Sequence, residues 1–237
     1  MGPLRSGSGA ASVEQDAWDR HWAGTRRQGG MNAFGRISSL VRKHVFEAAV
    51  RQYSDRFFPP EGLVIETGCG TAESSRGLLG DGRRKLGVDA SMIALGSARE
   101  AVPEFGLLRA DIRRLPVRDA SVAGLWNLGV LEHFPQAEAD EVLRECARVL
   151  RPGGYLIVFW PPLLGSSRLA LAPVEWLLSL ARMRRFRFFP EEVNRLRSGA
   201  HAREALQRAG LEVVAIESPV RLLFIHTVVV GRRPLPG

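Results

Sequence analysis

Apolar and polar positions change their period several times along the chain. Ile37, Leu40, Val41, Val45, Ala48 and Ala49 recur at the spacing of one helix face, which predicts an amphipathic helix from Arg36 to about Tyr53. Pro59-Pro60 ends it. Short apolar runs then alternate with helical stretches. The runs predict strands at Leu63–Thr67, Lys85–Asp89, Gly106–Ala110, Val122–Leu128 and Tyr155–Trp160. Between them, helices are expected at Ala72–Leu79, Ser91–Ala101 and Ala137–Leu150, with Ser91 as an N-cap and Arg151-Pro152-Gly153-Gly154 as a stop and turn. Such alternation implies a mainly parallel sheet with helices on both faces.

The two ends differ from this middle. Val13–Trp22 reads as a short helix that puts Trp18 and Trp22 on one face, behind a Gly- and Ser-rich flexible tail. Residues 1–58 therefore form a tail and N-terminal lid, and 59–237 form the main domain. Near the other end, His201–Ala209 is a predicted helix closed by Gly210. Leu211–Glu217 and Leu222–Val230 are predicted strands joined only by Ser218-Pro219-Val220-Arg221, a link that suits an antiparallel hairpin. An insertion at about 161–198 is apolar but broken by Arg168, Pro173 and Glu175, so a transmembrane helix is not expected. It closes on the run Arg182-Met183-Arg184-Arg185-Phe186-Arg187-Phe188-Phe189. Apolar residues beside arginines and aromatics predict a peripheral membrane contact through 163–189.

Composition adds limits. A chain of 237 residues, 45% hydrophobic and 24% charged, is ordinary for a globular α/β domain. The net charge of +8 comes almost wholly from arginine, since Lys43 and Lys85 are the only lysines. Codon bias explains that as well as an anionic partner does, so charge alone selects neither membrane nor RNA. Cys69 and Cys146 form neither a metal cluster nor a disulfide framework. The start lacks the apolar core of a signal peptide, and a cytoplasmic location is expected.

The candidate chemistry sits at the first strand. Its apolar run ends in Glu66, and the glycine-rich Thr67-Gly68-Cys69-Gly70-Thr71 follows, so a buried strand turns sharply with its backbone exposed to a ligand. The next apolar run ends in Asp89, about twenty residues on, the spacing at which a nucleotide ribose meets a carboxylate in a Rossmann-like sheet. Together they predict a nucleoside-containing cofactor.

Several motifs in order then resemble the class I S-adenosylmethionine-dependent methyltransferases, in particular the small-molecule group of ubiquinone/menaquinone-biosynthesis type. They are Glu66-Thr67-Gly68-Cys69-Gly70-Thr71-Ala72, Gly87-Val88-Asp89-Ala90-Ser91, Arg109-Ala110-Asp111-Ile112 and Asn127-Leu128-Gly129-Val130-Leu131-Glu132-His133-Phe134. Leu143-Arg144-Glu145 and Arg148-Val149-Leu150, with the Pro-Gly-Gly turn, complete a match over about 60–160. The resemblance implies a Rossmann-like, mostly parallel seven-stranded sheet, helices on both faces, and a C-terminal antiparallel hairpin.

It also implies roles. Gly68, Cys69 and Gly70 pass close to the amino-acid part of S-adenosyl-L-methionine, with Glu66 near its ammonium. Asp89 accepts from both ribose hydroxyls, with Ala90 beside it; Met92 packs on adenine; Asp111 and the Ile112 backbone read its edge; Asn127 lines the methyl-donor end. The product is S-adenosyl-L-homocysteine. His133, just past the fourth strand, is the expected general base, with Glu132 as the alternative. His21, His44, His201 and His226 show no ligand spacing and receive no role; no metal is expected. The acceptor is expected to be a small molecule, apolar or lipid-like, held by the lid and the insertion. The Asn-Leu-Gly-Val sequence departs from the Asn/Asp-Pro-Pro-Tyr/Phe pattern of many nucleic-acid and protein amino-methylases, so nucleic acid is not the expected partner. An RNA or protein methyltransferase, or a non-catalytic cofactor-binding domain, are the alternatives.

Overall fold

The computed structural model describes residues 18–19, 22–23, 45–163, 165 and 192–237. The insertion, most of the lid and the membrane-contact run at 163–189 therefore lie largely outside the described residues.

Seven strands form one sheet: β1 (Leu63–Thr67), β2 (Arg84–Asp89), β3 (Gly106–Arg109), β4 (Val122–Leu128), β5 (Leu150–Trp160), β6 (Glu212–Glu217) and β7 (Thr227–Arg232). Their order is β3-β2-β1-β4-β5-β7-β6. The first five run parallel, and β7 pairs antiparallel with both β5 and β6. Chain order reverses between β1 and β4, which leaves a crevice at their carboxyl ends, where open α/β sheets place ligands.

Helices cover both faces. On one lie α1 (Glu47–Phe57), the 3-10 helix Glu73–Leu78 and α2 (Met92–Ala101), whose Val50, Tyr53, Leu78, Leu95 and Ala98 pack with Val64, Trp126 and Phe159. On the other lie α3 (Gln136–Val149) and α4 (Gly199–Arg208), whose Val142, Leu143, Cys146, Ala202 and Leu206 pack with Ile65, Leu125 and Val158. Strand residues thus alternate between two cores, the expected result for a sheet covered on both sides.

Four expectations need correction. The helix predicted to end at Tyr53 runs to Phe57; Phe58 is extended (φ −80°, ψ 140°), as a residue before proline must be. The helix expected from Ala72 is a 3-10 helix, because Ala72 enters it in the left-handed region (φ 52°). The Arg151–Gly154 turn does not interrupt β5. Leu150 pairs with Val122, while Gly153 N donates to Arg233 O and Arg233 N to Gly154 O, both at 2.9 Å, so pairing continues past the kink. Finally, Leu222–Ile225 is not strand. Leu223 and Phe224 take left-handed φ values of 51° and 56° after the 3-10 turn Val220–Leu222, and the hairpin loop spans 218–226.

Candidate active site

Glu66 lies inside β1 and faces the 3-10 helix, where Ser75 Oγ donates to its carboxyl. It is 2% exposed. Burial pushes Glu66 up to about 8, and nearby Asp89 adds to the effect while the Ser75 bond opposes it.

The chain then turns over the end of β2. Gly68 N and Cys69 N both donate to Val88 O, at 2.8 and 3.0 Å. Gly68 has φ +70°, and a Cβ there would stand 2.6 Å from Val130 Cγ2, so only glycine fits. Asp89 locks this turn to the next: Oδ2 accepts from Gly70 N and Oδ1 from Ser91 N, each at 2.8 Å. Burial raises the Asp89 pKa, and these amides oppose the rise. Each carboxylate oxygen keeps a second lone pair for an incoming hydroxyl. Ser91 caps α2 by accepting from Ala94 N at 3.2 Å.

The remaining expected residues are placed less alike. Cys69 is buried, its Sγ 3.1 Å from where a Cβ on Gly87 would stand. Ala90 O accepts from Arg109 Nε at 3.0 Å. Met92 is half exposed at the start of α2, whereas Ile112 is buried in the α3-side core. Both Asp111 oxygens are engaged by Arg113: Oδ1 by its backbone N and Nε, Oδ2 by its Nε and terminal nitrogen. Burial works against ionisation of Asp111, but these bonds hold its pKa below the ordinary value. Asn127 is fully buried on β4, and neither its oxygen nor its nitrogen has a hydrogen-bond partner among the described residues.

Described residues of the N-terminal segment reach this crevice. Trp22 Cζ2 stands 3.0 Å from where a Cβ on Gly70 would be. Asp19 accepts from Ser91 Oγ, and its carboxylate lies 3.9 Å from Arg109. Trp18 packs edge to face on His133, with ring centroids 5.4 Å apart. Glu132 and His226, the first considered only as an alternative base and the second given no role, are both buried beside Gly129. Nothing in a single sequence joins them, because they come from separate parts of the chain. An open groove of about 420 Å³ lies beside the start of β5, among Arg144, Arg148 and Arg233, and contains none of these residues.

Residues 65–158 match the profile of the methyltransferase domain. This is a class I S-adenosylmethionine-dependent methyltransferase domain. A probable S-adenosylmethionine-dependent methyltransferase of Mycolicibacterium smegmatis is 30% identical over 150 residues, which are 63% of this chain and 52% of that protein. A probable enzyme of the same kind from Mycobacterium tuberculosis is 36% identical over 98 residues, 41% of this chain and 35% of its own. The matches thus span about a third to a half of these relatives' length. The fold is also that of magnesium protoporphyrin IX methyltransferase from Synechocystis PCC 6803, solved with S-adenosylhomocysteine (TM-score 0.67, 19% identity, 94% of this chain and 99% of that one). The methyltransferase domain fits such a cofactor in its own geometry. Its turn carries glycine at 68 and 70, Glu66 and Asp89 lie at the carboxyl ends of β1 and β2, and Asn127 presents an amide whose hydrogen bonds are unmet among the described residues. Among the described residues, no group of three or more His, Cys, Asp or Glu could hold a metal ion.

Proposed function

We propose that this domain binds S-adenosyl-L-methionine at the β1/β2 edge and catalyses methyl transfer to a small-molecule acceptor. The observation that carries this reading is Asp89, whose carboxylate ties Gly70 and Ser91 at one rim of the crevice. Asp89 holds the turn still and offers its remaining lone pairs to the two ribose hydroxyls. Gly68 and Gly70 supply backbone to the amino-acid end, and Glu66 lies under that turn. Asn127 hydrogen-bonds near the donor end. Asp111 receives the adenine amine only by sharing oxygens that already accept from Arg113. When bound, the cofactor supplies a methyl group made electrophilic by its sulfonium, so the residues' work is alignment and exclusion of water. Trp18, Asp19 and Trp22 support a lid over that space. A site roofed by two tryptophans and lined by buried polar groups favours a compact acceptor over a polymer.

The test is a transfer assay with methyl-labelled cofactor on lipid, small-molecule and RNA fractions of a cell extract. Label is expected in the small-molecule or lipid fraction. Label confined to RNA contradicts the acceptor class.

A further inference from the structure

Trp18, Asp19 and Trp22 lie close together in sequence, yet each meets a different part of the crevice. The Trp18 ring packs on His133, in the 3-10 turn Leu131–His133 after β4, with centroids 5.4 Å apart. Trp22 Cζ2 stands over the β1 turn, 3.0 Å from where a Cβ on Gly70 would be. Asp19 reaches the start of α2 and the end of β3. Its Oδ1 accepts from Ser91 Oγ and, at 3.5 Å, from Ile93 N, while its Oδ2 lies 3.9 Å from a terminal nitrogen of Arg109.

Ser91 joins Asp19 to Asp89. Its backbone N donates to Asp89 Oδ1 at 2.8 Å, and its Oγ donates to Asp19 while accepting from Ala94 N at 3.2 Å. Ser91 is fully buried, so its one hydroxyl hydrogen goes to Asp19 and not to solvent. Asp19 is therefore held by the residue that also holds Asp89. The two carboxylates are close enough for Asp19 to oppose the ionisation of Asp89. Arg109, fixed by its own bond from Nε to Ala90 O at 3.0 Å, stands beside Asp19 as the balancing cation.

We infer that Asp19 is a positioning residue that fastens Trp18 and Trp22 across the crevice once S-adenosyl-L-methionine is bound, and so slows its escape. The inference rests on the cofactor reading above. Without ligand, two carboxylates repel each other across Ser91. Ribose hydroxyls donating to Asp89 spread its charge, so holding Asp19 nearby costs less. By linkage, the fastened segment holds the cofactor more tightly in return. The pair with Arg109 is long, and its side chains are 27% and 40% exposed, so it adds little. The charge-assisted bond from Ser91 carries the fastening.

The experiment follows release of tritium-labelled S-adenosylhomocysteine from the full chain during a chase with unlabelled ligand, beside Kd from calorimetry. Asp19→Ala should release the ligand about tenfold faster, the loss of one charge-assisted hydrogen bond. The association rate obtained from the two measurements should change by no more than about twofold. Asp19→Asn keeps an oxygen to accept from Ser91 Oγ and should fall between wild type and Asp19→Ala. The unfolding midpoint of the ligand-free chain should be the same in all three, because Asp19 lies outside both cores. Release from Asp19→Ala as slow as from wild type overturns the inference. A ligand-free midpoint lowered in step with the faster release makes the role structural and overturns it too. Failure of wild type to bind S-adenosylhomocysteine instead overturns the underlying reading.

Discussion

At the residue scale, the carboxyl ends of β1 and β2 carry acids whose burial opposes their charge. Glu66 holds its proton up to about pH 8 in the folded chain, against an ordinary value of 4.5 when unfolded. The folded state thus binds more protons between those values, and stability falls as pH rises through that window, at most by about 1.4 kcal/mol per pH unit for one group. Glu132 acts in the same direction. His226 acts below them: its folded pKa is lowered, so its contribution is present above about 6.5 and is lost as pH falls toward 3. Glu66→Gln should therefore flatten the loss of stability between pH 5 and 8, measured by urea unfolding across pH. An unchanged slope would mean that Glu66 is ionised in the folded protein. The strand-end positions of Glu66 and Asp89 were legible from sequence because each ends an apolar run, and the turn at Gly68 and Gly70 because glycines follow the first of them. The engagement of Asp111 by Arg113 was not legible, since two charged residues two apart do not reveal whether they turn toward each other.

At the element scale, the strand–turn of β1 explains why two glycines must stand there. Gly68→Ala adds a Cβ 2.6 Å from Val130 Cγ2 and forces φ +70° on an alanine. A loss of about 1–3 kcal/mol in stability is expected, with weakened cofactor binding, since the turn and the crevice share this backbone. Wild-type stability and affinity would show that the turn relaxes freely. Ser198 caps α4 by accepting from His201 N at 3.1 Å, and Ser198→Ala should cost about 1 kcal/mol by thermal unfolding without affecting affinity. The bounds of β1, β2, β3, β4 and β6 were legible within one or two residues, because turn residues flank each apolar run; β5 begins five residues before its expected start, since pairing continues through Arg151–Gly154. The hairpin loop was misread because Leu222–Ile225 is as apolar as a strand. Leu222 is buried in the core, while Leu223 and Phe224 turn outward in left-handed conformation, which no period reveals.

At the scale of the whole molecule, the methyltransferase profile ends at residue 158, but the sheet does not. Residues 192–237 contribute α4, β6 and β7, complete the sheet and bring His226 beside Gly129. From the other end, Asp19 and the tryptophans reach the crevice. The approach of His226 to Gly129 and Glu132 could not be read from local pattern; only the sheet order joins these separate stretches of chain. Because Trp22 stands over Gly70, S-adenosylhomocysteine should change tryptophan emission, and Trp22→Phe should remove most of that change. Emission that responds equally in the variant would place the lid elsewhere. The charge of +8 is consistent with any of the acceptor classes and orders none of them.

The most direct measurement is calorimetric titration of the full chain with S-adenosylmethionine and S-adenosylhomocysteine, repeated with Asp89→Ala. Saturable one-to-one binding of both ligands is expected in wild type. The variant should remain folded by circular dichroism and bind about ten- to a hundredfold more weakly, the loss of charge-assisted hydrogen bonds. No binding by wild type, or equal affinity in the folded variant, would contradict the assignment of the β1/β2 crevice as the cofactor site.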